Sequence, residues 1–127
     1  MLSALVVDDA RMMRLLLSST LTDLGYEVQE GSNGKEALEI LDRSPSIALA
    51  FIDWHMPVMN GLDCLKALRA DPRFNALIVV MVTVETEVER IVAALAAGAN
   101  DYLMKPVTPE MIEEKLLWLG LPGGQPV

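Results

Sequence analysis

Side chains that could do chemistry stand at the ends of four short apolar runs of the sequence. Asp8 and Asp9 follow the first run, Asp53 the third, Thr83 the fourth and Lys105 the fifth. Carboxylates, a hydroxyl and an ammonium group are the types that bind a divalent cation and handle a phosphoryl group. Carboxylates after strands often only cap helices, so the set gains chemical meaning only if the fold brings it together.

An excess of negative charge would result from that convergence. Two carboxylates about 4 Å apart repel by about 4 kcal/mol at an effective dielectric constant of about 20, and Lys105 neutralises only one of the three. A divalent cation supplies the missing charge, and the all-oxygen ligands favour Mg²⁺, with Mn²⁺ or Ca²⁺ as possible substitutes. Beside such an ion, Asp53 is a candidate nucleophile towards phosphorus, with Thr83 and Lys105 neutralising the phosphoryl oxygens.

The elements that must position these residues are predicted from an alternation of apolar runs and helical periods, which is typical of βαβ units with a parallel sheet. The predicted strands cover residues 2–7, 26–30, 47–52, 77–82 and 102–104. The predicted helices begin after Asp9 and Asn33, cover 61–70 and 86–97, and begin again after Thr108. Right-handed crossovers lead to an open, doubly wound α/β sheet, and ligands bind such sheets at the carboxyl edge of the strands.

The apolar stripes of the helices predict which side chains face the core. For the fourth helix the inward residues are expected to be Val88, Ile91, Val92 and Leu95. Met12 and Leu15 lie off the stripe of the first helix, so we expect them to be exposed beside the pocket, where a partner's helices can dock. Leu117 and Trp118 lie off the stripe of the fifth helix and predict an apolar patch for a target or a second copy.

Length and composition point to one globular domain. The 127 residues fit a domain at 1–120 and a flexible tail, rich in Pro and Gly, at 121–127. The net charge of -8 argues against nucleic acid as a partner, and no apolar run approaches the roughly 20 residues that membrane insertion requires. Because Cys64 is the only cysteine, an intramolecular disulfide is impossible and a cytoplasmic setting is expected.

Four strings of the sequence resemble response-regulator receiver domains, particularly those of the chemotaxis type. They are VDD at 7–9, DWHMPVMNG at 53–61, MVT at 81–83 and AGANDYLMKP at 97–106, and the resemblance covers about residues 2–119. It implies the flavodoxin-like (βα)5 fold with strand order 2-1-3-4-5. It also implies a stand-alone switch of a two-component system that is phosphorylated on an aspartate.

The resemblance implies a role for each residue of the acidic pocket. Asp53 would be the phosphoacceptor, Asp9 and the main-chain carbonyl of His55 would join it as metal ligands, and Asp8 would reach the metal through water. His55 is also one of the side chains expected to tune turnover.

Further roles implied by the resemblance fall on the fourth and fifth strand ends. Thr83 and Lys105 would contact the phosphoryl oxygens, and the bond before Pro106 would be cis. Tyr102 would be the switch aromatic that turns inward when Thr83 moves. Val84 is larger than the residue that the family usually has at its position. Together with His55 and Glu85, which flank the incoming water, it is expected to alter the lifetime of the phosphorylated state.

The implied donor is a phosphohistidine on a sensor histidine kinase or a histidine phosphotransfer protein. The domain would assist its own phosphorylation and its own slow dephosphorylation, without being an enzyme in the ordinary sense. The surface of the fourth helix, fifth strand and fifth helix would present the signal to a downstream target protein. The protein would be a monomer or a phosphorylation-dependent homodimer.

Two other classes of function remain alternatives. One is a receiver-like adaptor that is never phosphorylated, against which the complete set of Asp9, Asp53, Thr83 and Lys105 argues. The other is an enzyme, either a flavin-binding flavodoxin relative or an aspartate-nucleophile phosphatase. Carboxylates after the first strand would repel a flavin phosphate, and 127 residues leave little room for the cap of a phosphatase.

Overall fold

Strands and helices alternate along the chain in a computed structural model that describes residues 2–84 and 88–124. The strands are β1 (Ser3–Val7), β2 (Glu27–Gly31), β3 (Leu49–Asp53), β4 (Ile78–Thr83) and β5 (Asp101–Met104). The helices are α1 (Arg11–Asp23), α2 (Gly34–Arg43), α3 (Gly61–Arg69), α4 (Val88–Ala96) and α5 (Pro109–Trp118), with a 3-10 turn at Pro72–Phe74. All neighbouring strands are parallel in the order β2-β1-β3-β4-β5, which confirms the predicted fold.

The core lies on both faces of the sheet, because successive strand residues point to opposite sides. Leu5 and Ile52 pack on one face with residues of α2 and α3, and Val6, Phe51 and Ile112 pack on the other with residues of α1 and α5. The central strand β3 is buried along its whole length. This covering of both faces explains why the central strands read as continuous apolar runs.

Side-chain caps set where three of the helices begin. Asn33 accepts a hydrogen bond from the backbone of Glu36, and Thr108 caps α5 in the same way, as predicted. Asn60 caps α3 by accepting from the N–H of Asp63 at 2.8 Å. Each cap satisfies an N–H group that has no partner within its helix. The Asn60 cap therefore fixes the point at which the loop after β3 ends and α3 begins.

The predicted inward stripe of α4 is wrong for three of its four residues. Val88, Val92 and Leu95 are 70%, 56% and 44% exposed, Ile91 is half-buried, and the buried residue of the helix is Ala94. Because the helix is apolar on more than one side, the sequence pattern does not show which side packs against the sheet. It packs through the small side chain of Ala94, whereas Val88, Val92 and Leu95 face outward. The predicted start at Thr86 lies outside the described residues.

Leu121 and Pro122 lie at the edge of the sheet opposite the one that carries the acidic residues. The backbone N–H of Leu121 donates to Leu116, and the Tyr26 hydroxyl donates to the carbonyl of Pro122 at 2.7 Å. Residues 125–127 lie outside the described part, so the predicted boundary at 120 and the flexible tail remain predictions. In the described ranges, every helix is too short or too polar to cross a bilayer.

Candidate functional site

Three carboxylates converge at the carboxyl edge of the sheet. Asp53 is the last residue of β3 and Asp8 follows β1, its neighbour in the sheet, with Asp9 next along the chain. Each of the three offers a carboxylate oxygen that lies within 4.8 Å of the others. Asp8 and Asp53 are buried, at 0% and 3% exposure, whereas Asp9 is exposed. The structure thus brings the predicted acidic residues together, with one of them open to solvent.

Lys105 bridges two of these carboxylates instead of pairing with one. Its Nζ lies 3.2 Å from Asp8 Oδ2 and 3.3 Å from Asp53 Oδ1. The backbone N–H of Lys105 donates to the carbonyl of Thr83 at 2.8 Å, which joins the ends of β4 and β5. The bond between Lys105 and Pro106 is cis, the form that the resemblance implies. One ammonium group therefore faces two buried negative charges.

One carboxylate oxygen of Asp8 accepts no hydrogen bond from the residues that the structure describes. Its Oδ1 accepts from the N–H of Ala10 at 2.8 Å, and its main-chain carbonyl accepts from Arg14 Nη1 at 2.7 Å. Oδ2 is buried and has no hydrogen-bond partner among the described residues, its contact with Lys105 being an ion pair. A buried carboxylate oxygen without a hydrogen bond, beside an exposed Asp9, suits a hard divalent cation.

Arg14 is a residue of the site that sequence reasoning missed. Besides holding the Asp8 carbonyl, its Nε lies 3.2 Å from Glu30 Oε1 at the end of β2. The guanidinium therefore ties the first turn of α1 to the ends of two strands. The only signal in the sequence was a basic residue between Met13 and Leu15, where the helix nears the acidic pair.

The ionisation of Asp53 is opposed by its surroundings. Burial and the neighbouring charge of Asp8 raise its pKa from 3.8 to about 6, although Lys105 acts in the opposite direction. Burial lowers the pKa of Lys105, but the carboxylates of Asp53 and Asp8 outweigh it, so that this pKa lies above its ordinary value. A cation at the site would favour the ionised form of Asp53, which is the form that can attack phosphorus.

The loop between β3 and α3 passes close to the Asp53 backbone. The N–H of Gly61 donates to the carbonyl of Trp54 at 2.9 Å. A Cβ atom at position 61 would collide with the main-chain oxygen of Asp53, so only glycine fits there. Gly61 therefore allows α3 to begin directly beside the candidate acceptor.

A strained turn lies in the middle of the same loop. Val58 has a φ of +70°, and the N–H of Met59 donates to the carbonyl of Pro57 at 2.7 Å, closing a γ-turn around it. The Met59 carbonyl in turn accepts from the N–H of Gly34 at the start of α2. A β-branched residue rarely adopts positive φ, so the surrounding contacts must hold the loop in this shape.

The mouth of the site is a cavity of about 540 Å³. Its lining residues are Asp9, His55, Met56, Pro57 and Asn60. The exposed His55 side chain reaches α4, where Arg90 Nη1 lies 3.2 Å from His55 Nε2. The Arg90 guanidinium also lies 5.8 Å from the centroid of a Trp54 ring. The residues following Asp53 are thus in contact with α4.

The other residues with predicted roles lie at the ends of β4 and on β5. Thr83 is buried as the last residue of β4, and Val84 after it is 57% exposed. Tyr102 is half-buried on β5, and Lys115 Nζ lies 5.3 Å from the centroid of its ring. Glu85 lies outside the described residues. The roles of these side chains stay predictions.

The four residues predicted to form partner surfaces are exposed. Met12 and Leu15 lie on α1 beside the acidic edge, and Leu117 and Trp118 lie on α5. The expected exposure is therefore confirmed. Their contacts with a partner remain a prediction.

Comparison with known proteins places the chain in a family. The model of the response regulator receiver domain matches residues 4–117. Chemotaxis protein CheY1 of Helicobacter pylori is 46% identical over 113 residues, which are 88% of this chain and 91% of that protein. The CheY homolog of Campylobacter jejuni is 41% identical, over 88% of this chain and 87% of its own length. The structure of response regulator CheY4 of Vibrio cholerae agrees with a TM-score of 0.88 at 34% identity, covering 94% and 98% of the two chains. The protein therefore belongs to the response regulator receiver domain family, in which CheY-type members act as signalling switches.

Proposed function

We propose that this protein is a phosphorylation-dependent switch of a two-component system, with Asp53 as the phosphoacceptor. The observation that carries the proposal is the placement of Asp53, buried at the end of β3 beside Asp8 and Asp9 and 3.3 Å from Lys105 Nζ. A carboxylate in this position has both an opening towards solvent at Asp9 and a cationic neighbour. It is therefore suited to attack an incoming phosphoryl group.

The metal site of the proposal consists of Asp9, Asp53 and the main-chain carbonyl of His55, with Asp8 acting through water. Mg²⁺ is the proposed ion, and Mn²⁺ or Ca²⁺ are substitutes with the same preference for oxygen. When bound, the ion supplies positive charge that offsets the oxygens of the phosphoryl group. Two observations support the proposal: Asp8 Oδ2 accepts no hydrogen bond within the described ranges, and the three carboxylates lie close together.

The transfer itself requires positioning more than covalent help from the protein. An oxygen of Asp53 forms a bond to phosphorus, and the phosphorus–nitrogen bond of the donor's phosphohistidine breaks, leaving its electron pair on the imidazole. Lys105 and Thr83 would bind the phosphoryl oxygens, Lys105 through its ammonium group and Thr83 through its hydroxyl. Slow attack by water on the acyl phosphate then resets the switch, at a rate tuned by His55, Val84 and Glu85.

The output of the switch is proposed to be the surface of α4, β5 and α5. Phosphorylation would draw Thr83 towards the phosphoryl group and turn Tyr102 inward, shifting the balance between two arrangements. The exposure of Val88 and Val92 on α4 and of Trp118 on α5 supports this proposal, because the surface offers apolar side chains to a target protein.

The proposed partners follow from the surfaces near the site. Met12 and Leu15 would dock a sensor histidine kinase or a histidine phosphotransfer protein beside Asp9. The net charge of -8 supports protein partners over nucleic acid. We place the protein in the cytoplasm, as a monomer or as a homodimer that forms on phosphorylation.

Labelling by a small phosphodonor tests the acceptor. Acetyl phosphate with Mg²⁺ should add one phosphoryl group to the natural chain, as measured by intact mass, and none to Asp53→Asn. Asp63→Asn, which changes an exposed carboxylate on α3, is the matched control and should be labelled normally. Omitting Mg²⁺ or adding EDTA should abolish labelling. Equal labelling of Asp53→Asn would refute the assignment, and a total lack of labelling would favour the adaptor.

A further inference from the structure

The exposed Asp9 lies between two peptide groups that are both held by hydrogen bonds. In the peptide before it, the carbonyl of Asp8 accepts from Arg14 Nη1 at 2.7 Å. In the peptide after it, the N–H of Ala10 donates to Asp8 Oδ1 at 2.8 Å. Because peptide groups are planar, fixing the two planes that flank a residue fixes its φ and ψ. The two hydrogen bonds therefore set the direction in which the Asp9 side chain leaves the backbone.

Arg14 can hold the Asp8 carbonyl because a second contact orients its guanidinium. While Nη1 donates to the carbonyl, Nε lies 3.2 Å from Glu30 Oε1. Two nitrogen atoms of one rigid, planar group are thus engaged at once, which the single ammonium of a lysine cannot reproduce. Glu30 lies on β2 in register with Val6 of β1. The guanidinium is therefore anchored to a strand whose own position the sheet already fixes.

Neither folding stability nor charge accounts for Arg14 at this position. The side chains of Arg14 and Glu30 are 21% and 41% exposed, and ion pairs open to solvent contribute little to stability. As a positive charge, Arg14 would repel a divalent cation bound at the neighbouring carboxylates. Its contact with the Asp8 carbonyl acts in the other direction, because it holds the backbone that carries Asp9.

We propose that Arg14, oriented by Glu30, is a positioning residue for the binding of Mg²⁺ at Asp9. The inference rests on the proposed function, because it concerns the metal site proposed there. The buried Asp8 Oδ2, which accepts no hydrogen bond from the described part of the chain, and the solvent-open Asp9 suit such an ion. Without Arg14, the peptide before Asp9 can rotate, and the ion has to order it on binding. Ordering a ligand during binding lowers the affinity.

Titration with Mg²⁺ alone tests the proposal, by isothermal titration calorimetry at constant ionic strength. Arg14→Met should raise the dissociation constant by about 10-fold, at the lower end of the loss expected when a group that orients metal ligands is removed. Electrostatics alone predicts the opposite sign, since this variant removes a positive charge. Arg14→Lys keeps the charge but cannot make both contacts, so its affinity should lie between those of Arg14→Met and the natural chain.

Glu30 gives an independent measurement of the same effect. Glu30→Ala removes the anchor of the guanidinium and should weaken Mg²⁺ binding by a smaller factor than Arg14→Met. Glu30→Gln, whose amide oxygen can still accept from Nε of Arg14, should retain more of the natural affinity than Glu30→Ala. In an Arg14→Met background, Glu30→Ala should have little further effect, because its influence passes through the guanidinium.

Two controls separate positioning from a general effect on charge or folding. Arg11→Met removes an exposed arginine from the first turn of the same helix and should bind Mg²⁺ at least as tightly as the natural chain does. Urea unfolding in EDTA should show that Arg14→Met is about as stable as the natural chain. An equal loss of affinity in Arg11→Met would overturn the inference, because that side chain does not hold the Asp8 carbonyl.

The remaining outcomes distinguish the inference from the proposed function. Natural or tighter binding of Mg²⁺ by Arg14→Met would overturn the inference alone, provided that the natural chain binds Mg²⁺ and is labelled on Asp53. If Arg14→Met does not fold, natural affinity in Glu30→Ala would overturn it instead. If the natural chain binds no Mg²⁺, the proposed metal site fails and the inference fails with it.

Discussion

Asp53 must satisfy two opposing requirements at the scale of a single residue. As the proposed phosphoacceptor it would have to be ionised, yet it is 3% exposed and lies beside the charge of Asp8. Its pKa of about 6 records this conflict, which Lys105 reduces without removing. A cation at the proposed metal site would complete the charge balance, and without one the ionised Asp53 destabilises the fold.

The pH dependence of stability should reveal how much the ionisation of Asp53 destabilises the fold. A pKa raised from 3.8 to about 6 in the folded state gives stability that is fully present below about pH 4 and is lost as the pH rises through 6. In EDTA, Asp53→Asn should therefore be more stable than the natural chain at pH 7.5, by up to roughly 3 kcal/mol for a shift of about two pKa units. Urea unfolding between pH 4 and 7.5 measures the difference.

The difference between the two chains should shrink towards zero near pH 4, where Asp53 is protonated. Asp63→Asn, on the exposed face of α3, should follow the natural chain throughout. A gap between Asp53→Asn and the natural chain that stays constant with pH would show that the ionisation of Asp53 is not its cause.

At the scale of elements, Arg69 adds hydrogen bonds between segments that also share one hydrophobic cluster. From the last turn of α3, its guanidinium donates to the carbonyls of Gly98, Phe74 and Leu77 at 2.7 to 2.9 Å and to Asn100 Oδ1 at 3.0 Å. It thereby joins the 3-10 turn, the entry to β4 and the connection between α4 and β5. Gly98, with φ of +110°, leaves space for the stem of the arginine.

Replacing Arg69 should destabilise the fold. Lysine supplies the charge but not the planar set of donors, so several half-buried carbonyls lose their partners. We expect Arg69→Lys to lower the free energy of unfolding by about 2 kcal/mol and Arg69→Met by somewhat more, as measured by urea denaturation. Arg43→Lys, at an exposed position of α2, is the control. A loss for Arg69→Lys no larger than for the control would mean that these hydrogen bonds contribute little.

Replacing Val58 in the strained turn should stabilise the fold, whereas replacing Arg69 should destabilise it. Its side chain is 79% exposed, so little burial is lost on replacement, while a residue that tolerates positive φ removes the strain. Val58→Asn and Val58→Gly should each raise the free energy of unfolding by about 1 kcal/mol. Thermal unfolding checks this, with Val92→Asn on exposed α4 as the control. Stability that falls in both Val58 variants would show that the side chain itself is needed.

At the scale of the whole molecule, the proposed metal binding would be coupled to folding through the sheet. The three carboxylates come from the ends of β1 and β3, so they approach one another only in the folded chain. An ion that binds the folded state alone stabilises it according to its concentration. The net charge of -8 adds a general attraction for cations that salt weakens.

Mg²⁺ should therefore raise the unfolding temperature of the natural chain. At a concentration 100 times its dissociation constant, the gain is about 2.7 kcal/mol in the free energy of unfolding. Asp53→Asn should gain much less, because it lacks one of the proposed ligands. Calorimetry at constant ionic strength, with NaCl replacing MgCl₂, separates specific binding from screening. Equal gains in the two chains would argue against a shared site at Asp53.

Much of this architecture could be predicted from residue patterns because the patterns are local. Apolar runs and helical periods identify strands and helices from neighbouring residues, and the handedness of crossovers then places all strand ends on one edge. The approach of Asp8, Asp9 and Asp53 also requires β1 and β3 to be neighbours, a strand order that the resemblance implied. Caps at Asn33 and Thr108 were equally visible, since a capping side chain acts within its own turn.

Contacts between distant segments depended on the tertiary structure. The outward face of α4, with Val88 and Val92 exposed, could not be predicted because its packing depends on which side fits the sheet. Arg69 contacts Gly98 and Asn100, and Arg90 contacts His55, each about 30 residues away or more along the chain. No spacing in the sequence predicts such pairs. Residue types and their order thus determined the fold and the position of its acidic site. The partners of long, flexible side chains were decided only by the tertiary structure, because these side chains reach segments that are distant in the sequence.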